Sequence, residues 1–104
     1  MVVELDIMKR NMIDCQFRPA GISNVRLIEA FLSVPRDLFV PGDNKLISYF
    51  DGHIEIKKGR WLLSSLSIAK LINTVDVSRD DIILEIGTAT GYATAVLAHL
   101  TSLV

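Results

Sequence analysis

Residues 84–91 read Leu-Glu-Ile-Gly-Thr-Ala-Thr-Gly. A carboxylate, Glu85, stands inside an apolar run two residues before Gly87, and Gly91 follows at the start of an alanine-rich stretch. Glycine lets a backbone pass close to a ligand and take up torsions closed to other residues. The first N–H groups of a helix that follows such a loop have no partner inside the helix. Together these features describe a strand–loop–helix turn built to hold a small molecule, and spacing decides which one.

A phosphate-binding loop needs G-x-x-x-x-G-K-[ST]; here Tyr92 stands five residues after Gly87 and no lysine follows. A dinucleotide loop needs G-x-G-x-x-G, and the three positions are Gly87, Ala89 and Tyr92. A tyrosine where close helix–strand packing wants glycine argues against NAD or FAD. The pattern acidic-x-Gly-x-Gly-x-Gly fits as Glu85, Gly87, Ala89 and Gly91, with only the middle glycine replaced, by alanine. A carboxylate beside the loop repels phosphate and suits a cation. S-adenosylmethionine carries an ammonium and a sulfonium and no phosphate, so it matches that charge. The candidate cofactor-binding residues are Glu85, Gly87, Thr88, Ala89, Thr90 and Gly91. An ordinary strand-to-helix turn with a solvated glutamate is the plainer alternative.

The elements that must position this loop are legible on both sides of it. Ile82-Ile83-Leu84-Glu85-Ile86 reads as a short strand of the kind buried on both faces of a parallel sheet. Residues 92–100 read as a helix. Upstream, Leu5, Met8, Met12 and Cys15 recur at helical spacing over residues 2–16, with Cys15 as a core thiol. Ser23 is placed to cap a second helix with Val25, Ile28 and Leu32 on one face and Leu27 and Phe31 beside it, stopped by Pro35. A helical turn is expected over 36–39 and a loop over 40–44. Residues 45–63 are expected to be extended, with a hairpin turning at Lys58-Gly59. Residues 66–75 read as a helix capped by Ser64 or Ser65, and 76–81 as a solvated polar break. The expected division is a helical extension with hairpin over 1–75 and the first β–α unit of a cofactor-binding domain over 76–104.

Composition narrows the function classes. Half of the 104 residues are hydrophobic and 22% are charged, which suits one small compact domain. A net charge of −1 gives no bulk electrostatic case for nucleic acid or for an anionic membrane. One cysteine excludes an internal disulfide, and with a charged N-terminus unlike a signal peptide it points to the cytoplasm. His53 and His99 lack a third group at ligand spacing, so no metal site is assigned. Lys57-Lys58-Gly59-Arg60 reads as a solvated turn, with a site for an acidic substrate as the sharper alternative. Trp61 is expected to anchor the hairpin on the core, or else to wall a cofactor or substrate pocket. Tyr92 is expected to staple the first turn of its helix or to lie against the cofactor pocket.

Gln16-Phe17-Arg18-Pro19 with Gly21-Ile22, then Val34-Pro35-Arg36-Asp37-Leu38-Phe39-Val40-Pro41, then Tyr49 and Asp51, and finally residues 84–92 occur in one order along the chain. In this combination the sequence resembles the protein-L-isoaspartate O-methyltransferase family over nearly its whole length. The resemblance implies an α/β class I methyltransferase fold, Rossmann-like, using S-adenosylmethionine. It also implies a protein or peptide substrate, whose isoaspartyl carboxylate receives the methyl group as the first step of protein repair.

Two departures stand out. Members of that family carry a Gly-Gln-Thr-Ile-Ser-Gln-Pro-like stretch before the third helix. This chain reads Gly59-Arg60-Trp61-Leu62-Leu63-Ser64-Ser65, with Leu63 at the serine position and Trp61 at the threonine position. No catalytic residue is therefore carried over, and the chain reads as a divergent branch. The resemblance also implies that residues 1–104 hold only the N-terminal extension and the first β–α unit, with the next strand beginning near Leu103-Val104. The strand at 82–86 is then expected to lack its neighbours and to favour self-association or a missing C-terminal half. Two functions stay open at this point: the N-terminal part of a methyltransferase, or an inactive fragment acting as a self-associating interaction module.

Overall fold

The computed structural model describes residues 2–42 and 44–104. Helix α1 (Val2–Met12) runs into a π-helical turn, Ile13–Phe17. Helix α2 (Val25–Ser33) follows, then 3-10 turns at Arg36–Phe39 and Asn44–Ile47. Strands β1 (Ile54–Lys57) and β2 (Arg60–Leu62) form an antiparallel hairpin, pairing Ile54 with Leu62 and Glu55 with Trp61. Helices α3 (Ser65–Val75) and α4 (Tyr92–Ala98) complete the chain.

Local chemistry explains most boundaries. Asn24 caps α2, its side chain accepting from the Leu27 N–H at 3.1 Å. The expected cap was Ser23; the two residues are adjacent, and the asparagine is the one whose carbonyl reaches the third N–H. Val34, in an extended conformation before Pro35, ends the helix. Ser64 caps α3 through the Ser67 N–H at 3.2 Å, and Asp76 closes it with a left-handed torsion, φ 57°.

Several expectations need correction. Cys15 is exposed rather than a core thiol. Met12 is buried as expected, but the wider π turn after it rotates the chain so that Ile13 and Phe17 face inward in place of Cys15. On α2 the buried face is Leu27, Ile28, Ala30 and Phe31, while Val25 stands exposed at the first turn. Residues 44–47 are helical, not extended. Asp43 of the expected 40–44 loop lies outside the described residues. The strand expected over 82–86 is reduced to one parallel bridge, Ile82 with Leu103, in which the Ile83 N–H donates to the Leu103 carbonyl at 3.0 Å. A parallel strand takes its hydrogen bonds from neighbours, and among the described residues Leu103 alone pairs with this run. Ile82, Leu84 and Ile86 are consequently 79%, 85% and 87% exposed.

One hydrophobic core joins the first and last thirds of the chain. Phe17 meets Phe31 edge-on at 4.8 Å between ring centroids, and Phe31 meets Tyr92 at 6.0 Å. Met12, Val96 and Ala69 fill the space around them. Arg26 on α2 donates to the Leu100 carbonyl at 2.7 Å and to the Val77 carbonyl at 3.3 Å, tying α2 to the segments that flank the 82–91 turn. Beside the core lies a buried polar centre. The Arg36 guanidinium is fully buried, donating from Nε to the Ser48 carbonyl and from Nη2 to the Leu63 carbonyl at 3.0 Å, and it stacks 4.8 Å from the Tyr92 ring centroid. Burial pulls its pKa down, and the facing Tyr92 and Tyr49 oxygens oppose that pull.

Burial pushes both phenols above the ordinary tyrosine range. For Tyr49 the bond it donates to Asp37 Oδ1, 2.9 Å long, adds to the effect. The sign of the linkage follows. Unfolded tyrosines release protons near pH 10 that the folded chain still holds, so stability is fully present below that pH and falls above it. Denaturant titrations at about pH 7, 8.5 and 11 are expected to show an unchanged midpoint at the first step and a clear drop at the second. A midpoint independent of alkaline pH would contradict the burial of these two groups.

Candidate functional site

The turn at 87–91 owes its shape to three left-handed torsions: φ is 77° at Gly87, 50° at Ala89 and 94° at Gly91. A Cβ added at Gly87 would meet nothing within 4 Å, so the glycine is there for its torsion and not for packing. Ala89 takes the same hand at a cost of roughly 1 kcal/mol. The Gly91 N–H closes the turn on the Thr88 carbonyl at 2.8 Å, and the Gly91 carbonyl accepts from the Ala95 N–H to start α4. Glu85 is half-buried, and one carboxylate oxygen accepts a hydrogen bond from the Thr94 hydroxyl on that helix. Among the described residues the carboxylate makes no other hydrogen bond.

Two cavities meet at this turn. A cleft of about 300 Å³ has Glu85, Gly87, Thr88 and Ala89 on one side and an apolar wall of Trp61, Leu63, Leu71 and Leu97 on the other. A wider groove of about 620 Å³ runs along residues 87–90 on the side of the hairpin and is bordered by Lys57, Lys58, Arg60 and Trp61. Five of the six candidate cofactor residues thus line a cavity. The sixth, Gly91, sits behind the turn, with the Phe39 ring 3.9 Å from the position of an added Cβ.

Trp61 does not anchor the hairpin on the core. It is 53% exposed and walls both cavities, because Leu62, its neighbour on the opposite face of β2, takes the inward position. Tyr92 points the other way: it is fully buried, and its hydroxyl lies 3.3 Å from Ser65 Oγ. The hydroxyls near Leu63 are therefore occupied with structure. Ser64 caps α3, and its N–H donates to His53 Nδ1 at 2.9 Å, while Ser65 holds Tyr92. Leu63 itself faces the cleft. The part of α3 in the cleft wall escaped the sequence reading; its signal was the apolar Leu71, off the inward face of that helix and 61% exposed.

Comparison with known proteins gives the chain a family. Residues 8–103 match the family model described as protein-L-isoaspartate(D-aspartate) O-methyltransferase. A protein-L-isoaspartate O-methyltransferase of Petrotoga mobilis is 37% identical over 95 residues, covering 91% of this chain and 45% of the relative. That of Trichlorobacter lovleyi is 35% identical over 99 residues, covering 95% and 46%. A protein-L-isoaspartate O-methyltransferase 2 of Marinobacter nauticus is 36% identical over 97 residues, covering 93% and 44%. The chain spans less than half the length of the curated relatives it matches. With a match running almost from end to end, the chain belongs to the protein-L-isoaspartate(D-aspartate) O-methyltransferase family.

Proposed function

We propose that this chain forms the N-terminal part of an S-adenosylmethionine-dependent methyltransferase that acts on a protein carboxylate, as in the repair of isoaspartyl residues. The observation that carries the reading is Glu85, a half-buried carboxylate oriented by Thr94 beside an open, glycine-turned loop. The residues present fit the cofactor: an acidic group for its ammonium, exposed backbone at 87–90 for close approach, and an apolar wall for its uncharged parts. When bound, S-adenosylmethionine supplies a methyl group on a positively charged sulfur. The chain's own part is to hold and exclude. Glu85 fixes the cationic end, the loop sets the depth, and Trp61 and Leu63 keep water from the cleft, so that proximity supplies much of the rate.

In this reading residues 76–104 are the first β–α unit of the cofactor-binding domain, and the bridge from Ile82 to Leu103 is the start of its parallel, Rossmann-like sheet. The family match supports methyl transfer over an inactive interaction module. Its setting is the cytoplasm, where an exposed thiol such as Cys15 stays reduced. Among the described residues no helix is long and apolar enough to cross a membrane. As a partner for the bare face at 82–86 we propose a second copy of the chain or a C-terminal half of the kind the longer relatives carry.

Calorimetric titration of S-adenosylmethionine into the 104-residue chain tests the cofactor site. Saturable binding is expected, weakened about tenfold or more in Glu85→Ala, the scale of one hydrogen bond to a charged group. Heat that does not saturate, or an unchanged affinity in the variant, would remove the cofactor site from this chain.

A further inference from the structure

The two cavities at the turn differ in charge. The cleft carries a carboxylate, Glu85, and otherwise apolar walls. The groove carries Lys57, Lys58 and Arg60 and, among the described residues, no acidic side chain. Among the described residues none of these three cations is in an ion pair; the pairs found there, Lys9 with Asp6 and Arg18 with Asp14, lie on α1 and at the π turn and its C-cap. The nearest acid in sequence, Glu55, is turned back on the hairpin, accepting from the Gly59 N–H at 3.3 Å. Three unpaired cations within four residues are conspicuous in a chain of net charge −1. They border a groove of about 620 Å³, and the exposed indole of Trp61 stands at the boundary between groove and cleft.

We infer that the groove bordered by Lys57, Lys58, Arg60 and Trp61 is the acceptor subsite, and that it selects acidic polypeptide segments. The inference rests on the proposed methyl transfer to a carboxylate and names the substrate class for it. Glu85 draws a cation to one side of the turn, while the hairpin cations draw anions to the other. A carboxylate held at that boundary, with further acids along the groove, lies beside the cleft in which the methyl donor would sit. Asp and Glu residues flanking the acceptor are then recognised by charge, with Trp61 as a flat apolar platform. At positions 60, 61 and 63 arginine, tryptophan and leucine give the site a cationic and apolar character.

The test is fluorescence anisotropy with a labelled ten-residue peptide rich in Asp and Glu, against the same peptide carrying Asn and Gln. The acidic peptide is expected to bind about tenfold tighter at low salt, and the preference should shrink as salt screens it. Trp61, as the single tryptophan, should change its emission on binding. The triple variant Lys57→Glu, Lys58→Glu, Arg60→Glu, all at exposed positions, is expected to melt normally and to lose the preference. Equal binding of the two peptides, an acid preference that survives in the variant, or tighter binding of a single-stranded oligonucleotide would overturn the inference. The S-adenosylmethionine titration reads the other cavity. An acid preference without cofactor binding would uphold the groove and sink the cofactor reading; cofactor binding without the preference would do the reverse.

Discussion

Arg36→Lys is expected to destabilise the chain by about 3 kcal/mol, which for a domain of this size lowers the melting temperature by roughly 15 °C. The substitution keeps a positive charge, and that is why it does harm. Arg36 is fully buried, and its charge is spread over a planar group that bonds two carbonyls from different parts of the chain, Ser48 and Leu63, while stacking on Tyr92. A lysine ammonium is more strongly hydrated, so it costs more to bury, and it cannot reproduce the fork or the stack. At least one carbonyl loses its donor while the burial penalty remains. Arg36→Met also gives up both bonds, but it removes the buried charge and the Nη1 group that has no partner, so its cost is expected to be smaller, about 2 kcal/mol. Thermal melts of the two variants decide the matter. A lysine variant more stable than the methionine variant would mean that the positive charge itself, rather than the shape of its carrier, holds this centre together.

That centre also marks where reading from sequence stops. A charged residue in a Pro-Arg-Asp stretch reads as surface, and nothing within several positions of Arg36 announces burial, because its partners come from 12 and 27 residues away. Features fixed locally were legible. The α3 cap at Ser64, the end of α2 before Pro35 and the turn at 87–91 each depend on a few adjacent residues. The candidate cofactor loop belongs to this class, since its torsions and the placement of Glu85 follow from a short motif. Features that depend on rotation or on absent neighbours were not legible. One π turn moved Cys15 from the core to solvent, because an added residue per turn changes which side faces inward. The run at 82–86 has the composition of a central strand, yet composition does not say what pairs with it, and here the pairing is one bridge to Leu103. Trp61 illustrates the same limit. A large aromatic reads as an anchor, and only the pairing of β2 with β1 reveals that Leu62 takes the inward position.

The bare strand leads to the second large effect: the 104-residue chain is expected to associate with itself, and Leu84→Lys with Ile86→Lys is expected to make it monomeric. Ile82, Leu84 and Ile86 present one nearly continuous apolar face, and Leu71 and Val75 of α3, 61% and 73% exposed, extend it across shared cavities. A contiguous patch of several hundred Å² is the mark of an interaction site rather than of a free surface. Ile82 at the start of the run bridges to Leu103, while Leu84 and Ile86 continue past the end of that bridge. A second copy offers what this face needs, an equally apolar surface and a strand edge that can pair with its own equivalent across a two-fold axis. The curated relatives have more than half of their length outside the matched part. For the 104-residue chain in isolation, the partner present at matching concentration is another copy of itself. Lysine on an exposed strand is a common means of blocking edge pairing, and at such exposed positions the two changes should alter stability by only about 0.5 kcal/mol. Sedimentation velocity at about 10 to 100 µM, enough to populate a complex with a Kd on the order of 10 µM, is expected to show dimers or larger species for the chain and a single 11.5 kDa species for the variant. A sharp 11.5 kDa boundary for the unmodified chain, or equal masses for chain and variant, would show that this face is stable in water as it stands.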